Sequence, residues 1–299
     1  MAEINRIVVT GAAGYLGSNL IPALLADGFE VTGVDRLAPV EAIPGCRYID
    51  VDLANVESTR AALAGAELIC HVASVHPWKP YTDEQYIDAN IKGTWNLYKC
   101  AAELGIGKVV LTSSIAGAGY GFQLAQWPIN EEAMGTAPDI YTYTKMAQEL
   151  NARSAAINQK IQTFALRPPA FMPKPNLDIG FGLTGNYGVV GDVVAAHLAA
   201  TRVLAGRQPA GAPAGMFEAF FTTNRLNYTT QDFAGETFNS AVTQDALRRR
   251  YPQAADFLIA KGFSGMWLAG VYELSKAKAI LHWEPKFNLE QWFSQNASM

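Results

Sequence analysis

The chain has 299 residues, enough to bury a substantial core in one large domain or two intimate lobes. Its net charge of −4 leaves no basic footprint, which argues against nucleic acid or an anionic membrane as a partner. Cys46, Cys70 and Cys100 show neither CxxC nor metal-like spacing, so no metal is called for; with no signal-like N-terminus and no membrane-length apolar run, the expected compartment is the cytoplasm.

The first element is a short β-branched run, Ile7 to Val9, which predicts a buried strand. It enters Gly11-Ala12-Ala13-Gly14-Tyr15-Leu16-Gly17, a G-x-x-G-x-x-G turn, after which Leu20, Ile21, Leu24 and Leu25 recur at helical spacing. Strand, glycine turn and helix together suit a pyrophosphate, because the first N–H groups of a helix are unpaired and carry partial positive charge. A Cβ at Gly11 or Gly14 would block the phosphate, and Gly17 lets the helix lie close to the sheet. Tyr15 and Leu16 complete the expected contacts of the turn.

A second strand, Glu30 to Val34, ends at Asp35, about 20 residues after the turn, where a carboxylate accepts hydrogen bonds from the adenosine ribose. That carboxylate favours NAD and repels a 2′-phosphate, whereas the neighbouring Arg36 leaves NADP open. A third strand near Cys46 to Ile49 leads to Asp52 and Leu53, candidates for the edge and face of the adenine. A helix is expected over Ser58 to Leu63, then a strand over Leu68 to Val72 whose end, Ala73-Ser74, is small enough for a cofactor to lie against it. His71, inside that apolar run, reads as a satisfied core histidine.

The prolines of Val75 to Thr82 exclude a regular element and leave a loop on the cofactor side, in which His76 and the aromatics either face substrate or pack. A long helix is predicted from Tyr86 to Leu104, and a strand from Lys108 to Thr112 that delivers Ser113 and Ser114. Glu131 and Glu132 read as a solvated loop or helix start. A helix over Tyr141 to Ala156 and a strand over Gln162 to Leu166 follow, then a Pro/Gly/Asn-rich loop over Phe171 to Gly188. Further on are a helix over Val193 to Leu204, a strand over Phe217 to Thr223 and a helix over Gln244 to Lys261. The alternation predicts an α/β fold, a doubly wound parallel sheet of the Rossmann type. Residues 1–168 form the dinucleotide-binding domain, elements near 190–225 return to it, and 169–299 are mostly a smaller substrate lobe.

Tyr141 and Lys145 form Y-x-x-x-K, which places both on one helical face. A phenol titrates near ~10, and a close ammonium plus an oxidised nicotinamide would bring it down to serve as a base. A serine hydroxyl at the preceding strand end would hold the reacting oxygen. Tyr272 and Lys276 repeat the spacing without any accompanying site.

These residues resemble the extended short-chain dehydrogenase/reductase family, the NAD-dependent epimerase/dehydratase group. The likeness rests on the glycine turn, Asp35, Asp52-Leu53, His71-Val72-Ala73, Asn90-Ile91-Lys92-Gly93-Thr94, Leu111-Thr112-Ser113-Ser114, Tyr141/Lys145, Leu166-Arg167-Pro168 and the Ser275-to-Pro285 segment. The resemblance implies that Tyr141 is the acid/base, that Lys145 binds the nicotinamide ribose and tunes it, and that Ser114, or Ser113 if the loop is offset by one, orients the oxygen. It also implies that Asn90 and Pro168 lie near the cofactor, and that a homodimer forms through the helices Tyr86–Leu104 and Tyr141–Ala156.

Two departures from the family pattern matter. Ile115-Ala116 stand where the dehydratases carry an acidic pair, which disfavours dehydration. Only about 25 residues separate Arg167 from Asp192, too few for the usual nucleotide-sugar clamp. The Ala89-to-Tyr98 segment is similar to uronate dehydrogenases. The expected activity is NAD(P)-dependent oxidoreduction of a hydroxyl or carbonyl on a small polar substrate such as a sugar or sugar acid. The alternatives are a nucleotide-sugar epimerase and, from another class, a non-catalytic NAD(P)-sensing regulator. Substrate contacts are expected from loops 75–82, 115–138 and 171–190.

Overall fold

Apolar runs of four to six residues, too short for stable helices and bounded by turns, become the strands of one sheet. In the computed structural model, which describes residues 4–233 and 240–298, β1 (Arg6–Thr10), β2 (Glu30–Asp35), β3 (Arg47–Asp50), β4 (Leu68–His71), β5 (Lys108–Thr112), β6 (Gln162–Arg167) and β7 (Phe217–Phe221) pair in the order 3-2-1-4-5-6-7. Every pairing is parallel. The order reverses between β1 and β4, and a crevice opens at that point over the carboxyl ends of the strands.

One face of the sheet is covered by α1 (Tyr15–Ala26), whose Leu20, Ile21 and Leu24 are fully buried. The other carries α2 (Val56–Leu63) and a helical run of three parts: α3 (Asp83–Tyr86), a π-helical segment Ile87–Lys92, and α4 (Gly93–Glu103). That run begins three residues earlier than the apolar pattern suggests. Thr82 and Gln85 form a capping box, which satisfies the first N–H groups there. Next on this face is α5 (Ile140–Asn158), capped by Asp139. On the α1 side, α7 (Val190–Leu204) packs against α1, and Ala277, Ile280 and Leu281 of α10 (Ser275–Leu281) join the same core.

The remaining elements build a separate apolar core around Tyr228, Leu247, Leu258 and Trp292. Within the stretch expected as loop, Asn176–Leu183 is helical (α6), where Gly180 and Gly182 let Trp292 and Tyr187 approach closely. The single helix expected over Gln244 to Lys261 is two, α8 (Ser240–Arg250) and α9 (Pro252–Ala260). Pro252 lacks an N–H and disfavours helical geometry at Tyr251, so it starts a new helix instead of continuing the old one. The chain closes with α11 (Leu289–Asn296). No described helix is long and apolar enough to cross a membrane.

Candidate active site

The turn after β1 is built by close approach. Gly11 has φ +69°, and a Cβ on it would come 2.7 Å from the Ala73 backbone nitrogen at the end of β4. A Cβ on Gly17 would meet the Gly11 carbonyl oxygen at 2.2 Å, so only glycine allows α1 to sit this close to the turn. Gly14 caps α1 with no side-chain hydrogen bond, which leaves the helix N-terminus facing the crevice. Asp35 accepts the Ala13 N–H (3.0 Å) and the Leu37 N–H (3.1 Å), tying the end of β2 to the turn. Asp52 accepts the Ala54 N–H, and Asn96 donates to the carbonyls of Leu53 and Ala54, fixing the next strand end.

A cavity of about 730 Å³ runs from this turn across the strand ends. Gly11, Gly14, Tyr15, Leu16, Asp35, Arg36, Asp52, Leu53, Ala73, Ser74 and Pro168 line it, together with Ser113, Ser114, Tyr141 and Lys145. Gly17 and Asn90 do not reach it. Gly17 packs beneath the turn, and Asn90 is fully buried. The Asn90 side chain accepts the Val75 N–H (2.8 Å) and donates to the Val75 carbonyl (3.1 Å) and to the Thr144 hydroxyl (3.0 Å). It therefore clamps the loop after β4 to α5.

Ser113 and Ser114 diverge. Ser113 Oγ donates to Glu149 at 2.6 Å, within a buried pair in which Arg167 grips both Glu149 oxygens at 2.8 and 2.7 Å. Ser114, whose Oγ accepts the Ala116 N–H at 3.2 Å, lies beside the Tyr141 phenol, near enough to act on its ionisation. Burial pushes Tyr141 above its ordinary value, and the neighbouring Ser114 hydroxyl opposes the rise. The protein's own groups thus do not produce the lowering expected from Lys145. Its Nζ lies 5.9 Å from the Tyr141 ring centre and donates to the Thr112 carbonyl at 3.1 Å. Burial pulls Lys145 down from 10.5 to about 7, opposed by the Glu149 carboxylate.

His71 is a core histidine, held between the Thr10 and Thr94 hydroxyls (2.8 and 2.9 Å) and pulled down to about 3 by burial and then by the Lys145 charge. Glu131 is not solvated as expected: it is buried, accepts the Phe221 N–H at 3.0 Å, and is raised by that burial. Glu132 beside it is exposed. The second Y-x-x-x-K falls apart because Tyr272 precedes α10. Tyr272 packs on Phe221, with ring centres 4.3 Å apart, while Lys276 pairs with Glu218 at 2.6 Å.

Tyr120 and Met172, from two of the loops expected to meet substrate, also line the cavity, and so does Trp267, which lies outside all three. Trp267 comes from the segment between α9 and α10. Asn186 holds that segment by its N–H to the Trp267 carbonyl (3.1 Å) and by accepting the Ala269 N–H (2.6 Å). No periodic or spacing signal marks such a residue.

A model of the NAD dependent epimerase/dehydratase family matches residues 7–172, more than half of the chain. The chain belongs to this family. Among its relatives is a 3-beta-hydroxysteroid dehydrogenase of Mycolicibacterium neoaurum, 28% identical over 173 residues, which cover 56% of this chain and 47% of that protein. A UDP-glucose 4-epimerase of Mycolicibacterium smegmatis is 34% identical over 156 residues, 48% of this chain and 49% of that one. The chain thus spans about half the length of these two relatives. A uronate dehydrogenase from Agrobacterium tumefaciens complexed with NAD superposes with a TM-score of 0.69 at 22% identity, covering 97% of this chain and 88% of that one. A UDP-galactose 4-epimerase superposes at 0.70 and 20% identity, covering 98% and 97%. These structures share the fold. The family's cofactor is NAD, and the glycine turn, the open α1 N-terminus and the Asp35 carboxylate fit it.

Proposed function

We propose that the protein is an NAD-dependent oxidoreductase that interconverts a hydroxyl and a carbonyl on a small substrate. The observation that carries this reading is that Ser114, Tyr141 and Lys145 together line the cavity that begins at the glycine turn. NAD, when bound, supplies the hydride acceptor. Ser114 holds the substrate oxygen against the phenol, and Tyr141 exchanges the hydroxyl proton with it. Lys145, buried behind the phenol, is placed to hydrogen-bond the nicotinamide ribose and to pass the proton on. Asp35 selects the unphosphorylated adenosine ribose over that of NADP. The loop-side position of Asn90 makes it a clamp on the substrate loop rather than a cofactor contact.

The short Arg167-to-Asp192 connection favours a small substrate over a nucleotide sugar, and so dehydrogenase over epimerase. Tyr141→Phe is the decisive variant. It should lower kcat for oxidation of any alcohol the wild type accepts by about 10²–10⁴-fold while leaving NADH affinity unchanged. Turnover surviving intact would overturn the assignment. Stoichiometric NADH release supports dehydrogenase, whereas turnover with no net redox change supports an epimerase.

The same reading takes the protein as a homodimer. On α5, Tyr143, Leu150 and Ile157 recur every seven residues and are 53%, 61% and 68% exposed. Trp95 on the adjacent α4 is 52% exposed. A helix pair with this much apolar surface in water suits a partner copy.

A further inference from the structure

The substrate end of the cavity is walled by rings. His76 and Trp78 stack at 5.8 Å with 10° between planes, and His76 stands edge-on to Tyr141 at 4.8 Å. Across the lobe, Tyr120 meets Trp267 edge to face at 6.5 Å. Ile115 lies among them, fully enclosed. Trp78 and Trp267 both line the cavity, yet they are 52% and 55% exposed. Two half-bare indoles at one site are costly to keep in water, and they gain most from a flat apolar ligand.

The polar inventory points the same way. Among the described residues lining the cavity there is no Asn, Gln or Glu, and the single arginine, Arg36, sits at the Asp35 end. Near Tyr141 the charged groups are Lys79, Asp139 and Lys145. Asp139 caps α5 (2.7 Å to the Thr142 N–H), and Lys145 donates to the Thr112 carbonyl. Lys79 is exposed. A diphosphate or a sugar carboxylate brought here would lose water without a guanidinium to replace it. A polyhydroxylated sugar would stack on the indoles and meet the hydroxyls of Ser74, Tyr81, Tyr86 and Tyr120, but would find no side-chain amide and no guanidinium to hold its own. His76 Nδ1 is buried without a hydrogen-bond partner, on a ring that burial pulls down to about 4 and so keeps neutral at pH 7.

We infer that the substrate is a secondary alcohol, or its ketone, borne on a flat apolar ring system that docks against Trp78 and Trp267, and not a sugar, uronate or nucleotide sugar. This rests on the oxidoreductase reading above and departs from the polar substrate expected from sequence. Oxidation of the alcohol breaks its carbinol C–H and O–H bonds. The hydride goes to NAD, giving NADH, and the proton leaves through Tyr141.

The test is calorimetric binding to the protein–NADH complex, with acenaphthenone and 1-indanone as ring probes and glucuronate, galacturonate and UDP-glucose as polar ones. NADH production from the corresponding ring alcohols, the two uronates and UDP-glucose is measured in parallel. The ring ketones should bind, and Trp78→Ala and Trp267→Ala should each weaken them at least about five-fold with NADH affinity unchanged. Tighter binding of a uronate or UDP-glucose, no binding of either ring ketone, or indole variants that bind like wild type would each overturn the inference. Indole-dependent ring binding without hydride transfer in either direction would leave the ligand class standing and sink the oxidoreductase reading. Tyr141-dependent turnover of a uronate without ring binding would do the reverse.

Discussion

At the scale of single residues, the two serines after β5 show how one position in a loop separates structure from chemistry. Both are consecutive hydroxyls at a strand end, and family resemblance favoured Ser114 with Ser113 as the alternative for an offset of one. In an extended backbone, neighbouring side chains point to opposite sides, and here one side is the crevice and the other the buried Glu149–Arg167 pair. Ser113→Ala should therefore leave kcat near wild type while lowering stability by about 1–3 kcal/mol, since it strips a hydrogen bond from a buried carboxylate. Ser114→Ala should lower kcat by about 10²-fold with little loss of stability. Steady-state kinetics and urea denaturation of the two variants check this, and exchanged phenotypes would assign the catalytic role to Ser113. Tyr141 and Lys145 were legible from their spacing together with their position on the helix after the serine strand end, since Tyr272 and Lys276 repeat the spacing without a site. The lowering of the tyrosine expected from the neighbouring lysine is not what the protein's own groups produce: burial of the helix face raises it.

At the scale of elements, regular ones were readable where a single periodicity ran unbroken. The strands and α1, α2, α5 and α7 follow their apolar patterns to within a few residues. The reading failed where a local breaker competed with the pattern, as at Pro252, and where packing made a helix out of a glycine-rich stretch, as at Asn176–Leu183. The π-helical segment Ile87–Lys92 had no signal either, although it holds the buried Asn90 that ties the loop after β4 to α5. The exposed heptad-spaced residues of α5 yield a prediction at this scale. Wild-type protein should sediment as a dimer, and Leu150→Lys, at a position 61% exposed, should give a folded monomer with an unchanged circular dichroism spectrum. A wild-type monomer, or a variant that still dimerises, would remove α5 from the interface.

At the scale of the whole molecule, the site has an energetic cost that should be measurable as pH-dependent stability. Burial holds Lys145 near 7 in the folded chain against 10.5 when exposed. Between those values the unfolded chain binds more protons, so this group's contribution to stability rises with pH. From pH 7 to pH 9 the gain should be on the order of 2 kcal/mol, and Lys145→Met should lack it. Comparing the two proteins cancels the titration of the cysteines and tyrosines they share. Parallel stability curves for wild type and variant would show that Lys145 is not desolvated in solution.

Sequence alone determined the parallel sheet, the dinucleotide turn and the Tyr141/Lys145 pair, because each is written in local periodicity or fixed spacing along one or two adjacent elements. Tertiary structure decided which serine faces the phenol, that Glu131 is buried, that the second Y-x-x-x-K is scattered, and that Trp267 reaches the cavity from the segment between α9 and α10. Those outcomes depend on which surfaces are pressed together in the fold, and contacts between residues of non-adjacent elements leave no spacing in the chain to read.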